Sequence, residues 1–488
     1  MRCSAAAAVG RAVGLLVTLA SAMVAGAQGE APDARGPNVV VILSDDAGYG
    51  DFGFTGGQVV ATPNIDRIAS EGAVLRQFYT TASVCSPSRA GFITGRYQQR
   101  FGHHSNLTGP ASRQGLGMAT SEQTVADHLS ARGYATGIIG KWHLGSAEGL
   151  TPTERGFDEF HGLIAGSRSF FAIDGEGTRQ GLQQTVAGDD GVPVVTWVDE
   201  RAIDGLYVTD WTGEQAVSFI DRHADRAEPF YLFVSFTAPH TPMDALSEDL
   251  EAVGDIEPER RRIYAAMQRS LDRNVGAILD ALDEAGAADN TMVAFFNDNG
   301  GATNNGSDNG RFRGMKGSKW EGGVRVPCAI RWPGVVPAGV SFTPVTSAMD
   351  LTATAVAAAG GPVEGSLPLD GRDLAPVIAS GGPWAATAVH DVLFWERGPA
   401  GAVRSGDWKV IFTDQTEPML FHVPGDPSET TDLAGERPEV VERLMAAFDS
   451  WHEETVEPLW LEGEKWENFQ RRKHRTDVVG REAERELP

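Results

Sequence analysis

The chain has 488 residues, of which 41% are hydrophobic and 22% charged, and its formal net charge at pH 7 is −25. This composition is ordinary for a folded globular protein, and the length predicts a large domain with a smaller one beside it. The strong acidity argues against a basic nucleic-acid-binding surface, so no nucleic-acid partner is expected.

The N-terminus predicts export. Arg2 and Arg11 precede the apolar run Val13–Ala20, and Ala25-Gly-Ala27 offers small residues for cleavage. This is the layout of a secretory signal peptide. The apolar run is too short to span a bilayer comfortably, and no later stretch predicts stable membrane insertion. We therefore predict a signal peptide over residues 1–27 and a secreted or periplasmic mature protein.

Beyond the signal peptide, buried strands alternate with helices. A run of β-branched residues predicts a strand over residues 38–43, and Thr62-Pro63 predicts the start of a helix that ends at Gly72. Further elements are expected as a helix over 121–132, strands over 134–139 and 230–236, a helix over 258–285 and a strand over 291–296. This alternation predicts an α/β domain over residues 28–385, with a large, mostly parallel mixed sheet sandwiched by helices.

The pattern changes near residue 385. Short strands separated by turns are predicted at 392–395, 402–404, 408–412 and 419–422, followed by a helix at about 438–452. Residues 386–488 therefore predict a smaller antiparallel sheet with a terminal helix, packed beside the main sheet. The tail from Glu462 is heavily charged, and we expect it to be partly disordered.

Export makes the cysteines informative. Cys3 leaves with the signal peptide, so only Cys85 and Cys328 remain. A disulfide between them is possible, although a secreted domain of this size does not need one. Cys328 lies in the apolar segment Val326-Pro-Cys-Ala-Ile330, which predicts a small buried residue in a strand. An isolated Cys85 requires a different explanation.

Four predicted strands carry polar groups to one edge of the sheet. These groups are Asp45 and Asp46, Lys141 and His143, His240, and Asp298 with Asn299. Each alone is compatible with an ordinary turn or loop residue, but functional groups of open α/β sheets gather beyond the carboxyl ends of strands. The oxygen ligands suit Ca²⁺ or Mg²⁺ and not Zn²⁺. Adjacent carboxylates are also costly without a cation between them, so a metal is expected.

The most specific motif begins at Cys85. The segment Cys85-Ser-Pro-Ser-Arg-Ala-Gly-Phe-Ile-Thr-Gly-Arg96 resembles the maturation motif of the type I, formylglycine-dependent sulfatase family, within the alkaline-phosphatase-like superfamily. That motif is Cys-x-Pro-Ser-Arg-Ala followed closely by Thr-Gly-Arg. The resemblance extends across the mature chain, through Gly140–Gly145, Ala238–His240, Asn297–Gly300, Lys316–Pro327, Asp407–Lys409 and Gly425–Glu429. It implies an alkaline-phosphatase-like fold and an arylsulfatase or carbohydrate sulfatase.

The resemblance also implies a chemical mechanism. A formylglycine-generating maturation enzyme would oxidise Cys85 to an aldehyde, which hydrates to a geminal diol. One hydroxyl would attack the sulfur of a sulfate ester, and elimination of sulfate would restore the aldehyde. The calcium ligands implied, with Mg²⁺ as the less expected ion, are Asp45, Asp46, Cys85, Asp298 and Asn299. Asp298 is also expected to accept the proton of the attacking hydroxyl.

The same resemblance assigns roles to the cations and histidines. Arg89 and Lys141 are expected to fix the diol and balance the charge of the sulfate. His143 would assist the elimination step, while His240 and Lys316 would bind sulfate and protonate the leaving oxygen. Lys319 is a nearby alternative to Lys316, but the spacing to the following Glu-Gly-Gly favours Lys316.

The substrate is less well determined by the sequence. Glu154–Gly162 resembles a segment common in sulfatases that act on carbohydrates, so a sulfated polysaccharide or oligosaccharide is expected, with an aryl sulfate as the simpler substrate. Segments 165–215 and 242–258 are expected to shape the pocket. Four aromatic residues either stack on a sugar ring or belong to the core: Phe170, Phe171, Trp197 and Trp211.

Two other functions remain open. Phosphonate or phosphate ester hydrolases of the same superfamily include enzymes that share the formylglycine motif, although most of its phosphatases use Ser or Thr with two zinc ions. A non-catalytic glycan-binding protein with a sulfatase fold is the alternative outside enzymes, and it would apply if Cys85 were never oxidised.

Overall fold

A ten-stranded mixed sheet forms the centre of the protein. The computed structural model describes residues 36–188, 192–379 and 388–474, so the predicted signal peptide lies outside the described residues. The strands are β1 (Asn38–Ser44), β2 (Ala73–Tyr79), β3 (Ala135–Lys141), β4 (Glu159–Leu163), β5 (Gln183–Ala187), β6 (Pro193–Trp197), β7 (Phe230–Ser235), β8 (Thr291–Asn297), β9 (Cys328–Arg331) and β10 (Val340–Ser347). Their order across the sheet is β10-β2-β9-β8-β1-β7-β3-β4-β5-β6.

Strand β1 lies in the middle of the sheet and is buried on both faces. It pairs in parallel with β7 on one side and β8 on the other. Because successive side chains of a strand point to opposite faces, Val39 and Val41 enter one hydrophobic cluster and Val40 and Ile42 enter another. Each such buried side chain contributes about 1.5–3 kcal/mol through removal of apolar surface from water. The predicted parallel α/β core is confirmed.

Helices cover both faces of the sheet. They are α1 (Pro63–Ser70), α2 (Cys85–Thr94), α3 (Gly109–Arg113), α4 (Val125–Ser130), α5 (Val208–His223), α6 (Ser247–Val253), α7 (Glu259–Glu284), α8 (Glu321–Val324), α9 (Ala348–Ala358) and α10 (Ala375–Ala379). Side chains of α2, α4 and α9 enter the cluster that contains Val41, whereas those of α1, α5 and α7 enter the cluster that contains Val40. No helix among the described residues is long and apolar enough to cross a bilayer.

Helix α2 is buried along its whole length, which is unusual for a helix that carries an arginine and three hydroxyl side chains. The ring of Phe92 packs against Phe233 and Phe296 of the sheet, with centroids 5.2 and 5.1 Å away. On the other side, Thr352 of α9 donates a hydrogen bond to the carbonyl oxygen of Phe92 at 2.5 Å. The sheet and α9 therefore hold α2, the helix that begins with Cys85, through Phe92 in its second half.

The predicted helix over residues 121–132 is wrong in its extent. Helix α4 begins only after Thr124, whose hydroxyl accepts a hydrogen bond from the Asp127 N–H at 3.1 Å. Asp127 in turn accepts from the Thr124 N–H at 2.8 Å. This reciprocal capping fixes the start of the helix, so the amphipathic residues before it form a turn.

The C-terminal region forms a separate antiparallel sheet, as predicted. Its elements are β11 (Val392–Arg397), β12 (Ala400–Ser405), β13 (Trp408–Thr413), β14 (Thr416–His422), α11 (Pro438–His452) and α12 (Glu464–Lys473). Helix α12 shows that the charged tail after Glu462 is ordered as far as residue 474, and the remainder of the tail predicted to be partly disordered lies outside the described residues. Phe469 and Gln470 are buried, as is His474 directly after the helix, so a few contacts outweigh the surrounding charges. The domain boundary at residue 385 stays a prediction.

Candidate active site

The polar residues predicted at the strand ends meet at one edge of the sheet. Asp45 and Asp46 follow β1, and Asp298 follows β8, which runs parallel to β1. The Asp298 N–H donates to the carbonyl oxygen of Ser44 at 3.2 Å, so the ladder of hydrogen bonds continues into the site. The Asp46 N–H points at Oδ1 of Asp298 from 3.4 Å. The parallel sheet therefore brings these carboxylates together.

Cys85 is buried and lies beside this group of carboxylates. Its Sγ is 3.6 Å from Oδ1 of Asp45 and 3.0 Å from Nζ of Lys316. Burial and the negative charge of Asp298 raise the pKa of the Cys85 thiol to about 12. An unmodified thiol at this position is protonated at neutral pH and is a poor nucleophile. Cys328 is also a free, buried thiol and begins β9, which confirms its expected place in a strand.

Three cations neutralise the three carboxylates. Nζ of Lys141 lies 2.5 Å from Oδ2 of Asp45, and Nζ of Lys316 lies 2.7 Å from Oδ1 of Asp46. Nε of Arg89 donates to Oδ2 of Asp298 at 3.0 Å, and Nη2 of Arg89 forms an ion pair with the same oxygen at 2.9 Å without hydrogen-bond geometry. Burial alone would raise the pKa of Asp45, but the positive charges of Lys141 and Arg89 hold it below its ordinary value.

The donor set fits a hard divalent cation. The Asn299 amide donates from Nδ2 to Asp46 Oδ1 at 2.8 Å, while its buried Oδ1 has no hydrogen-bond partner among the described residues. An orphaned buried carbonyl oxygen beside carboxylates is the kind of ligand that Ca²⁺ or Mg²⁺ takes. Ligand atoms of Asp45, Asp46, Cys85 and His240 lie within 4.8 Å of one another.

Asp298 is not part of that closest group, because its Oδ2 is turned toward Arg89. Burial and the neighbouring Asp45 raise the pKa of Asp298 to about 6. A cation between these carboxylates would remove the repulsion and favour the ionised form. The residues present thus fit a calcium site, with Asp298 as the ligand that Arg89 restrains.

The two predicted site histidines are held in defined tautomers. His143 Nε2 is 3.3 Å from the carbonyl oxygen of Leu107, which assigns the proton to Nε2. Its Nδ1 is buried and has no partner in the part of the chain that the structure describes. His240 Nδ1 is 2.5 Å from the carbonyl oxygen of Thr241, so Nε2 carries the lone pair and lies 3.4 Å from Nζ of Lys316. Burial lowers the pKa of both rings, which favours the neutral forms.

Lys316 and Lys319 point in different directions. Nζ of Lys316 contacts Asp46 and Cys85, whereas Nζ of Lys319 is buried and makes no hydrogen bond to any residue that the structure describes. Burial, followed by the charge of Arg397, lowers the pKa of Lys319 to about 7. The geometry therefore places Lys316, the residue preferred from the sequence, in the site.

Of the four aromatic residues considered for sugar stacking, Phe170 and Trp211 belong to the core cluster on the α5 and α7 face. Trp197 is half-buried at the end of β6, and Phe171 is 40% exposed. Phe171 is therefore the most exposed of the four in the structure as described, and its ring also packs against Tyr207, with centroids 5.4 Å apart.

A supporting network beside Cys85 was not predicted from the sequence. The Ser86 N–H donates to Oδ1 of Asn106 at 3.1 Å, and the Ser86 hydroxyl donates to the carbonyl oxygen of His143 at 2.8 Å. His103 Nε2 lies 2.6 Å from the same hydroxyl. Ser86 occupies the variable position of the cysteine motif, and nothing in the sequence distinguishes His103 from an ordinary loop histidine.

Comparisons with known proteins show which family the sequence and the fold resemble. A sequence model of the family described as Sulfatase matches residues 37–361, which include all the predicted site residues. The chain is 31% identical to steryl-sulfatase of Mus musculus, over 86% of this chain and 82% of the relative. It is 32% identical to arylsulfatase A of Homo sapiens, over 84% and 87% of the two chains. The structure of Ps i-CgsB in complex with k-i-k-neocarrahexaose superposes with a TM-score of 0.80, at 31% identity over 88% of this chain and 96% of that chain.

Proposed function

The chain belongs to the sulfatase family, whose named members are sulfuric ester hydrolases, and we propose that it hydrolyses sulfate esters of a sulfated polysaccharide or oligosaccharide. We further propose that its nucleophile is a formylglycine made from Cys85 and that Ca²⁺ assists the reaction. The observation that supports this proposal most directly is the position of Cys85 between Asp45 and Lys316, at 3.6 and 3.0 Å.

Two groups would complete the site. Formylglycine at position 85 supplies a hydrated aldehyde, a nucleophile that can later release sulfate by elimination, which a serine lacks. A calcium ion supplies positive charge toward the sulfate oxygens, and the residues that would hold it are Asp45, Asp46, Asp298 and Asn299. In the structure, Sγ of Cys85 stands at the place of the reactive group of residue 85.

The surrounding residues have two kinds of role: some position the carboxylates, and others transfer protons. Arg89 donates hydrogen bonds to Asp298, to the Ser235 hydroxyl at 2.5 Å and to the carbonyl oxygen of Lys141 at 3.2 Å. It therefore orients the carboxylate that would accept the proton of the attacking hydroxyl. Nζ of Lys141 lies 2.5 Å from Asp45, so Lys141 stabilises the carboxylate of Asp45. It would also add positive charge near the bound sulfate.

Lys316 and His240 are suited to act on the leaving alcohol. Their side chains are 18% and 15% exposed, whereas those of Asp45 and Lys141 are fully buried, so this pair faces the entrance of the site. Burial lowers the pKa of Lys316, but Asp46 more than compensates and raises it well above the ordinary value, so the ammonium holds its proton. Lys316 would donate that proton to the leaving oxygen of the substrate. Nε2 of His240 would orient the Lys316 ammonium group.

The neutral His143 is suited to accept a proton. Its Nε2 is committed to the carbonyl oxygen of Leu107, which leaves Nδ1 as a buried, unprotonated base. A base of this kind would remove a proton from the second hydroxyl of residue 85 as sulfate is released.

A glycan is the preferred substrate class. A structural relative at 31% identity was solved with a neocarrahexaose, and the sequence segment Glu154–Gly162 resembles carbohydrate sulfatases. Steryl-sulfatase and arylsulfatase A are similar to this chain at comparable identity, so an aryl sulfate is expected to serve as a simple assay substrate. We also propose export through the signal peptide at residues 1–27 and conversion of Cys85 by a maturation enzyme.

Mass spectrometry of the protein from its native export route tests the nucleophile. Trypsin releases Cys85 in the peptide Gln77–Arg89, and formylglycine lowers its mass by about 18 Da relative to the thiol. Cys328, in Val326–Arg331, is an internal control that must remain a thiol. An unmodified Cys85 in an active preparation would disprove the mechanism, and in an inactive one it would favour the non-catalytic glycan-binding alternative. Parallel assays with sulfate, phosphate and phosphonate esters separate the enzyme alternatives.

A further inference from the structure

Two arginines meet at a glycine beside the active site. A Cβ atom on Gly109 would lie 3.2 Å from Nη1 of Arg113 and 3.7 Å from Nη2 of Arg179, so both guanidinium groups contact the space that a side chain there would fill. Arg113 ends α3 and is exposed, while Arg179 precedes β5 and is half-buried. The absence of a side chain at Gly109 thus lets two cations from distant parts of the chain approach the same point.

The two segments that carry these arginines also flank His143. The carbonyl oxygen of Leu107, two residues before Gly109, accepts the hydrogen bond from Nε2 of His143 at 3.3 Å. On the other side, the carbonyl oxygen of Arg179 accepts from the Ala165 N–H at 3.1 Å. The next residue, Gly166, is so close that a Cβ there would lie 2.6 Å from Nε2 of His143. The segment before Gly109 therefore contacts His143 directly, and the segment that carries Arg179 reaches His143 through Ala165 and Gly166.

The pair is unusual in a strongly acidic protein. Acidic residues outnumber lysine and arginine by 66 to 41, yet neither guanidinium forms an ion pair or a side-chain hydrogen bond with any residue that the structure describes. Two like charges that approach the same point repel each other, and no carboxylate among the described residues compensates them through an ion pair. A pair of planar, permanently charged forks matches the geometry of a sulfate or carboxylate group.

We propose that Arg113 and Arg179 form a second anion-binding subsite, which holds a further sulfate or carboxylate group of a sulfated glycan while the sulfate to be hydrolysed lies at Cys85. This inference rests on the proposed function and specifies its substrate: a glycan that carries more than one anionic group. The subsite touches no reacting atom, so it determines which substrates bind and leaves the chemistry of residue 85 unchanged.

The test compares two variants that remove the same charge. One variant is R113Q/R179Q, and the control is R226Q/R443Q. The control changes two exposed arginines: Arg226, in the loop at the amino end of β7, and Arg443 on α11. Binding of a carrageenan hexasaccharide is measured by calorimetry in a Cys85→Ala background, where no turnover occurs. The kcat/KM for 4-nitrophenyl sulfate, which has no second anionic group, is measured with Cys85 intact.

We expect the R113Q/R179Q variant to bind the hexasaccharide about tenfold more weakly, or worse, because charge-assisted hydrogen bonds are lost. Its kcat/KM for 4-nitrophenyl sulfate and the affinity of the control should stay close to those of the parent. An affinity equal to that of the control, or no binding by the parent, would overturn the subsite.

Inorganic sulfate is titrated in parallel, and an equal loss of affinity for it would assign the arginines to free anions instead. A parent that hydrolyses no sulfate ester but still shows the tenfold difference would refute the proposed function and leave the subsite in place.

Discussion

His474 supports the loop that carries Lys316. Its Nδ1 is 2.7 Å from the carbonyl oxygen of Gln470, so Nε2 is left as an acceptor, and it receives the hydrogen bond of the Lys319 N–H at 2.8 Å. Its ring also lies over Trp320, with centroids 6.4 Å apart. Substitution of His474 by Ala leaves the buried Lys319 N–H without a partner, whereas His474→Gln places an amide oxygen near the position of Nε2.

The magnitude follows from these contacts. An unsatisfied buried donor costs about 1–3 kcal/mol, and the lost ring packing adds roughly 1 kcal/mol. We therefore expect His474→Ala to lower the free energy of unfolding at pH 7.5 by about 2–4 kcal/mol. The His474→Gln variant should lose less than half of that amount, because the acceptor is kept. His452→Ala, at the largely exposed end of α11, is the matched control and should have almost no effect.

The same variants give a pH dependence with a defined sign. Burial, together with the charge of Lys319, lowers the pKa of His474 to about 3. In the unfolded chain His474 is protonated below about pH 6.5, whereas in the folded protein it stays neutral. The free energy of unfolding therefore falls as the pH drops below 6.5. At pH 5.5 the protein with His474 should lose ~1.4 kcal/mol that the His474→Gln variant does not lose. Other buried histidines titrate equally in both proteins and cancel in the difference.

Urea denaturation at pH 7.5 and 5.5 measures both effects, and initial rates with 4-nitrophenyl sulfate report on the site. Because the Lys319 N–H lies three residues from Lys316, His474→Ala should also lower kcat, and His474→Gln should restore most of it. A difference in stability between the parent and His474→Gln that does not change with pH would refute the assigned neutral state. An unchanged stability of His474→Ala would refute the role of the buried hydrogen bond.

Three further predictions concern the site itself. Replacing Asn299 by Ala should weaken calcium binding about tenfold, measured as the calcium-dependent shift of the melting temperature, because its orphaned Oδ1 is then lost as a ligand. Cys85→Ala should abolish turnover of 4-nitrophenyl sulfate, whereas Cys328→Ala should leave kcat unchanged and lower only the unfolding temperature. Lys316→Met should reduce kcat at least about 10²-fold, as expected for loss of a general acid. Lys319→Met should keep the activity and leave stability equal or higher, because it removes an unpaired buried amine.

The sequence predicted the part of the site that follows from sheet geometry. Asp45 and Asp298 could be placed together because each follows a buried strand, and parallel strands end at the same edge. The alternation of Val40 and Val41 between two cores likewise follows from the period of a strand. These inferences needed only local patterns and one topological rule.

The sequence could not predict the contacts between segments that have no regular pattern. Six of the ten residues of helix α12 are charged, and its position depends on Phe469, Gln470 and the following His474, none of which marks a helix face strongly. Ser86 and His103 meet because a loop returns to the start of α2, and the sequence contains no spacing rule for such a return. Tertiary contacts of this kind override the local composition.

The choice between Lys316 and Lys319 shows how a backbone turn decides a functional role. Gly317 has φ of 86°, a left-handed conformation that other residues rarely adopt, and its N–H donates to the carbonyl oxygen of Ser83 at 2.6 Å. The turn therefore ties the lysine loop to the segment just before Cys85, with Lys316 on the side of the site and Lys319 on the side of α12. A side chain at Gly317 would also meet Nζ of Lys473 at 2.8 Å. The position of the proton donor beside residue 85 thus depends on a glycine turn and on a C-terminal helix more than 150 residues away.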